Sequence, residues 1–269
     1  MTGLQALVLG LVQGFGEFLP ISSSGHLIVV PWLLGWPPQG LSFDVGLHLG
    51  TLFAVVAAFA RDWLRLLGSA ASGLRRRQPF AAADSRLVWL ILLASVPGGV
   101  AGVLLEDRAE TAFRSPLLVA VAMAVLGGVL FLADRFGSGR ADIGALSARD
   151  AVLIGFAQAV ALVPGVSRSG ATISMALLLG YRRGEAARFS FLLATPITLG
   201  AVALKVPELL RSDIASAALI GMATAAASGF LSIRWLLGYV RTRDYRPFVW
   251  YRLAFAALVL VVFLTRAGR

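Results

Sequence analysis

Six apolar stretches, each close to the roughly 20 residues needed to cross the hydrocarbon of a bilayer, set what this chain can fold into. They fall at about Leu41–Ala60, Leu87–Leu105, Pro116–Ala133, Ala186–Leu204, Ile214–Leu237 and Phe248–Leu264. Hydrophobic residues make up 58% of the 269, charged residues only 14%, and mean hydropathy is +0.82, far from a soluble domain. The absence of cysteine excludes disulfides, thiolate metal sites and cysteine nucleophiles. Serine, histidine, carboxylate and arginine must carry any chemistry.

Two further apolar stretches are cut by polar, helix-breaking residues. Leu4–Leu34 is interrupted at Pro20-Ile21-Ser22-Ser23-Ser24-Gly25, and Ala151–Leu179 at Pro164-Gly165-Val166-Ser167-Arg168-Ser169-Gly170. Irregular backbone at membrane depth survives only where protein buries it or where it lines a cavity, so each stretch is expected to form a re-entrant hairpin of two short helices. The breaks also resemble each other, because Gly10-x-x-Gln13 leads to the first and Gly155-x-x-Gln158 to the second. Each is followed by three spans, which reverses the side from which the second half enters. The expected fold class is therefore all-α: a polytopic membrane protein with six transmembrane helices plus two re-entrant helical hairpins in an inverted repeat. It forms one integral membrane domain over 1–269, with halves of about 1–140 and 141–269.

The formal charge of +10 could suggest nucleic acid, but the arginines sit in short connections between apolar stretches rather than along one amphipathic face. No nucleic-acid partner is expected. With the N-terminus on one side, the opposite side receives Arg61, Arg65, Arg75, Arg76, Arg77, Arg86, Arg135, Arg140, Arg149, Arg182, Arg183, Arg188, Arg241, Arg243 and Arg246. Short cytoplasmic loops collect such residues, so that side is cytoplasmic. The other connections carry Glu106, Asp107, Arg108 and Glu110, then Lys205, Glu208, Arg211 and Asp213, with little net charge. Both termini and the mouth of the first hairpin are expected to face outward. The N-terminus shows no basic n-region or small-residue cleavage site, so no removable signal peptide is expected.

The candidate chemistry gathers at the breaks. Gln13 and Glu17 stand four residues apart on one helix face, pointing toward Ser22-Ser23-Ser24-Gly25-His26. An ionisable group at membrane depth needs a cation, a hydrogen-bond network or protonation, and is a functional candidate by default; a packed, hydrogen-bonded carboxyl is the structural alternative. Serines commonly cap helix starts, yet three hydroxyls with the amides of a helix N-terminus also make a cradle for phosphate. His26 lies three residues beyond Ser23 and could act as its base. The second break repeats the cradle with Ser167, Ser169 and Gly170 and adds Arg168, whose planar fork suits bidentate phosphate binding. Asp44 and His48 form a weaker i, i+4 pair, either supporting the site or sitting at the interface.

At these residues the sequence resembles the undecaprenyl-diphosphate phosphatase family of the bacitracin-resistance type, over essentially the whole chain. Gln13-x-x-x-Glu17-Phe-Leu-Pro-Ile-Ser-Ser-Ser-Gly-His26 matches its first motif, Pro164-Gly-Val-Ser-Arg-Ser-Gly-Ala-Thr172 its second, and Ala187-Arg-Phe-Ser-Phe-Leu-Leu193 is also similar. The resemblance implies a bacterial inner-membrane enzyme that removes the terminal phosphate of undecaprenyl diphosphate, recycling the lipid carrier of cell-wall peptidoglycan synthesis. It also implies a divalent cation, Mg²⁺ or Ca²⁺. The family's first motif opens with Glu or Gln; this chain has Gln13, leaving metal ligation to Glu17 and substrate oxygens with Gln13 beside them. Ser24 stands where threonine is common, and His48 where glutamine is expected.

The reading that follows places the diphosphate between the two breaks. Arg168, the cation near Glu17, and the Ser22, Ser24, Gly25, Ser167, Ser169 and Gly170 positions hold its charge, while Ser23 attacks phosphorus with His26 as base. Direct attack by His26 or by activated water uses the same residues and stays open. The expected partners are a polyprenyl diphosphate, membrane lipid and, as an option, a second copy of the chain. A lipid-phosphate transporter or flippase is the rival, because paired broken helices in inverted repeats are a transport architecture.

Overall fold

The structure is a computed structural model that describes residues 1–37, 39, 41–105, 113–137, 139–210 and 215–267. Among the described residues there are eleven α-helices and no strand. Both interrupted stretches form paired short helices. The first gives α1 (Gly3–Phe18) and α2 (Ser23–Leu34), the second α7 (Ala148–Val160) and α8 (Arg168–Leu178). With 16, 12, 13 and 11 residues they run about 16–24 Å at about 1.5 Å per residue, short of the roughly 30 Å hydrocarbon core. Side chains set the outer starts of both hairpins. Thr2 and Gln5 form a reciprocal capping box at α1, and Ser147 and Asp150 do so at α7.

Five helices are long and apolar enough to span: α5 (Ala83–Leu104), α6 (Pro116–Phe136), α9 (Arg183–Leu210), α10 (Ala215–Tyr239) and α11 (Arg246–Ala267). The expected span Leu41–Ala60 is different. Helix α3 (Leu41–Ala58) is followed at once by α4 (Ala60–Arg75), bent 76° away at Phe59, so that the pair makes at most one further span. The sequence pattern makes residues 61–86 a connection. Its first part is instead an amphipathic helix: Leu66 and Ala70 are buried, while Arg61, Arg65 and Arg75 are exposed.

The connections in which arginine collects are joined to one another. Arg188 pairs with Asp62 at 2.6 Å, Arg182 with Asp142 at 2.9 Å, Arg183 with Asp134, and Arg86 donates to the Gly144 carbonyl. Of the other connections, Glu106, Asp107, Arg108, Glu110, Arg211 and Asp213 lie outside the described residues, as do the side chains of Lys205 and Glu208.

Packing places each hairpin against a partner from the other half of the chain. Helix α1 packs on α10 and α7 on α5, while α3 packs on α10 and α9 on α5. The approach needs small residues: a Cβ at Gly14 would lie 1.9 Å from Ser228 Oγ, and one at Gly155 would lie 2.5 Å from the Ala94 carbonyl oxygen. The largest buried apolar cluster wraps the inner ends of the hairpins, with Phe18 packed edge-to-face on Phe191 at 5.4 Å between ring centroids. Large apolar side chains cover the outside instead, among them Val103, Leu104, Leu132, Val261 and Leu264. Such a surface requires lipid around it, and the chain is a multi-pass membrane protein.

Candidate active site

The two breaks use one backbone device. Ser22 and Ser167, the residues immediately before α2 and α8, both adopt φ 73°, a region that non-glycine residues seldom occupy. Each caps its helix: Ser22 Oγ accepts from the Gly25 N–H at 3.3 Å, and Ser167 Oγ from the Gly170 N–H at 3.1 Å. Each hydroxyl also meets a second serine, Ser24 at 3.3 Å and Ser169 at 3.2 Å. The amides of Gly25 and Gly170, expected as phosphate donors, are thus occupied by the caps in this state.

The breaks converge on the carboxylate of Glu17. Arg168, first residue of α8, donates to Glu17 Oε1 from Nη2 at 3.1 Å and Nε at 3.3 Å, and its Nη1 donates to the Ser190 carbonyl at 2.9 Å. Ser23 Oγ donates to Glu17 Oε2 at 2.7 Å, and Gln13 Nε2 donates to the same oxygen at 3.3 Å. Ser169 Oγ reaches across to the Leu19 carbonyl at 3.1 Å. Glu17 is only 9% exposed, so an anion and a guanidinium at membrane depth neutralise each other.

His26 is placed otherwise than its spacing suggested. Its Nδ1 donates to the Ser22 carbonyl at 2.7 Å, because a carbonyl can only accept, and its Nε2 accepts from the Tyr251 hydroxyl at 2.7 Å. Phe255 stacks on the ring at 4.3 Å between centroids. Both ring nitrogens are engaged, so the expected His26–Ser23 hydrogen bond is not formed; the hydroxyl of Ser23 turns to Glu17. Spacing makes Ser23 and His26 neighbours, and packing decides which acceptor each one takes.

His48 comes closer to the centre than a peripheral role implies. Its Nε2 lies 3.7 Å from Glu17 Oε2, and its Nδ1 donates to the Asp44 carbonyl at 2.7 Å. The Asp44 carboxylate pairs with Arg114 at 3.0 Å. Gln13 is fully buried, and its Oε1 has no hydrogen-bond partner. Among the described residues no group of three or more His, Cys, Asp or Glu could hold a metal. The hard oxygens present, the Glu17 carboxylate and the orphaned Gln13 amide oxygen, nevertheless suit Mg²⁺ or Ca²⁺, with water completing the shell until substrate oxygens replace it.

Two functional neighbours escaped the sequence reading. Tyr251 holds His26, as above. Arg252, 0% exposed, donates to four carbonyls: Met123 at 3.0 Å, Pro20 at 3.1 Å, Gly165 at 2.8 Å and Val166 at 3.1 Å. It therefore ties the first break to the second with backbone acceptors alone. The available signal was an arginine inside the apolar stretch Phe248–Leu264, which intramembrane charge marks as functional. Two open pockets, one lined by Asp134, Arg135, Arg183 and Asp244, the other by Asp142, Arg182, Glu185 and Arg241, contain none of the break residues.

A family profile described as bacitracin resistance protein BacA matches residues 6–258. The chain belongs to that family. Among its BacA-family relatives, undecaprenyl-diphosphatase of Moorella thermoacetica is 50% identical over 266 residues, covering 99% of this chain and 100% of the relative. Undecaprenyl-diphosphatase of Pelotomaculum thermopropionicum is 48% identical, covering 99% and 98%. That of Geobacter sulfurreducens is 49% identical, covering 98% and 99%. Such identity over whole chains extends the likeness from the two motifs to every helix between them.

Proposed function

We propose that this chain is an integral membrane phosphatase that hydrolyses undecaprenyl diphosphate to undecaprenyl phosphate and inorganic phosphate. The observation that carries the reading is the Ser23 hydroxyl, which donates to a buried carboxylate gripped by an arginine from the other break. Full-length likeness to relatives named undecaprenyl-diphosphatase supports the substrate.

In the first step Ser23 Oγ attacks the terminal phosphorus and its proton passes to the Glu17 carboxylate to which it already donates. The bond from that phosphorus to the bridging oxygen breaks, and undecaprenyl phosphate leaves. Arg168 turns its fork from Glu17 to the phosphoryl oxygens, exchanging one anion for another as substrate charge arrives. Ser22, Ser24, Ser167 and Ser169 offer hydroxyls around the same space, and the caps on Gly25 and Gly170 yield their amides when phosphate replaces them. In the second step the water that clears phosphoserine takes the place of the Tyr251 hydroxyl on the lone pair of His26 Nε2 and gives up its proton there. The same lone pair supports a second reading, direct attack by His26. Trapped intermediate separates them: phosphate that survives acid and maps to Ser23 supports the first, whereas acid-labile phosphate on His26 overturns it.

Mg²⁺ or Ca²⁺ would be held by Glu17 and the Gln13 amide oxygen, and when bound would neutralise charge on the diphosphate. The arginine-rich connections belong on the cytoplasmic side of the bacterial inner membrane, placing both termini and the mouth of the site in the periplasm. The matched capping at Ser22 and Ser167 supports halves of about 1–140 and 141–269 in an inverted repeat. A homodimer is compatible with the apolar exterior. Purified chain in detergent, given a prenyl diphosphate and Mg²⁺, should release phosphate; tight lipid binding with no release would favour the transporter or flippase instead.

A further inference from the structure

We propose that His48 is a nitrogen ligand of the divalent cation held at Glu17 and Gln13, so that this site prefers first-row transition ions such as Mn²⁺ over Ca²⁺. The proposal rests on the cation reading above and concerns which ion the chain selects.

It starts from an unfavourable pair of atoms. Because His48 Nδ1 donates to the Asp44 carbonyl, the neutral ring carries its lone pair on Nε2, and that lone pair faces Glu17 Oε2 at 3.7 Å. This is beyond hydrogen-bond reach, and with the ring neutral both atoms are lone-pair donors that a cation between them would join. Beside them is a third donor, Gln13, fully buried, with its Nε2 already 3.3 Å from the same Glu17 oxygen and its Oε1 without a partner. Rotating that amide about its last bond presents the oxygen to the same place.

With the Gln13 amide turned over, its oxygen would join His48 Nε2 and Glu17 Oε2 as a third lone-pair atom from α1 and α3, with one carboxylate to supply charge. Two neighbouring ligands each about 2.1 Å from a six-coordinate ion stand about 3.0 Å apart, so the 3.7 Å separation would close by about 0.7 Å on binding. His48 also has the second interaction that metal-bound imidazoles need, a ring N–H fixed on a backbone carbonyl, which sets tautomer and orientation. Its side chain is 32% exposed, leaving the ion a route to water and to substrate oxygens. Oxygen sets suit Mg²⁺ and Ca²⁺; an imidazole shifts the order toward Mn²⁺ and the later ions and works against Ca²⁺.

The experiment is direct binding of the metal alone to detergent-purified chain without substrate. Mn²⁺ and Ca²⁺ affinities are measured in competition, and ¹⁴N coupling to bound Mn²⁺ is read by pulsed electron paramagnetic resonance. Wild type should show nitrogen coupling, His48→Gln should lose it together with about 10-fold or more of the Mn²⁺ preference, and Glu17→Gln should bind neither ion. The wild-type coupling needs no variant to fold. If Mn²⁺ binds and Glu17→Gln abolishes it, but wild type lacks nitrogen coupling or His48→Gln keeps the same preference, the His48 assignment is overturned while the cation reading stands. If wild type binds no ion, or Glu17→Gln binds as well as wild type, both fall.

Discussion

The two breaks share their backbone and divide their chemistry. Each begins its inner helix with a serine at φ 73° whose hydroxyl caps the glycine amide three residues on. The first break carries the carboxylate, the reactive hydroxyl and the imidazole; the second carries the guanidinium. Their preceding glutamines part company as well. Gln13 donates to Glu17, whereas Gln158 is buried with neither amide atom bonded, beside Gly98. Repeating a helix break thus duplicates the cradle, and a few side chains decide which copy reacts. The halves become dependent because neither Glu17 nor Arg168 is neutralised at membrane depth without the other.

That division can be broken most severely at Arg252. Arg252→Met withdraws the guanidinium from four buried carbonyls and unties the breaks; thermal unfolding in detergent should show a loss of about 3 kcal/mol or more. A variant as stable as wild type would mean that the breaks hold together without it. Next comes Arg168→Ala, expected to lower the rate of phosphate release about 10²-fold or more. Combining it with Glu17→Gln should cost little beyond the worse single change, since the two act as a unit; simple multiplication of the two losses would show that they act separately.

A smaller effect tests the shared device itself. Ser22→Ala and Ser167→Ala should each lose about 1–2 kcal/mol of stability, because alanine lacks the cap and tolerates positive φ poorly, while glycine at either position should lose only a few tenths. Unequal losses at the two positions would indicate that the breaks are alike in shape only. Smallest is Tyr251→Phe, which removes one hydrogen bond of about 1 kcal/mol and should slow turnover a few-fold. With His26 acting in the second step, phosphoserine should accumulate in this variant; slower formation without accumulation would move His26 to the first step.

Much of this arrangement was legible in the chain. Long apolar stretches, capping residues and the two Pro-Ser-Gly interruptions act within a few residues of themselves, so α1, α2, α7 and α8 lie where the pattern puts them. The bend at Phe59 was not legible, because Leu41–Ala60 and the amphipathic Arg61–Arg75 read as a span and a loop until packing decided their angle. Glu17, Ser23, Arg168 and His26 stood out as polar groups in apolar surroundings. Arg252 was passed over for want of any nearby motif, although the same rule applied to it.

Local hydrophobicity and helix geometry are enough to fix the membrane, the two breaks and the list of groups that lipid would not tolerate unpaired. Who pairs with whom came from packing: Glu17 with Arg168, 151 residues away, Ser23 with Glu17 rather than His26, and His26 with Tyr251, 225 residues away. The reason is that a hydrogen bond is chosen among all acceptors within about 3 Å, and which acceptors those are depends on how distant helices pack.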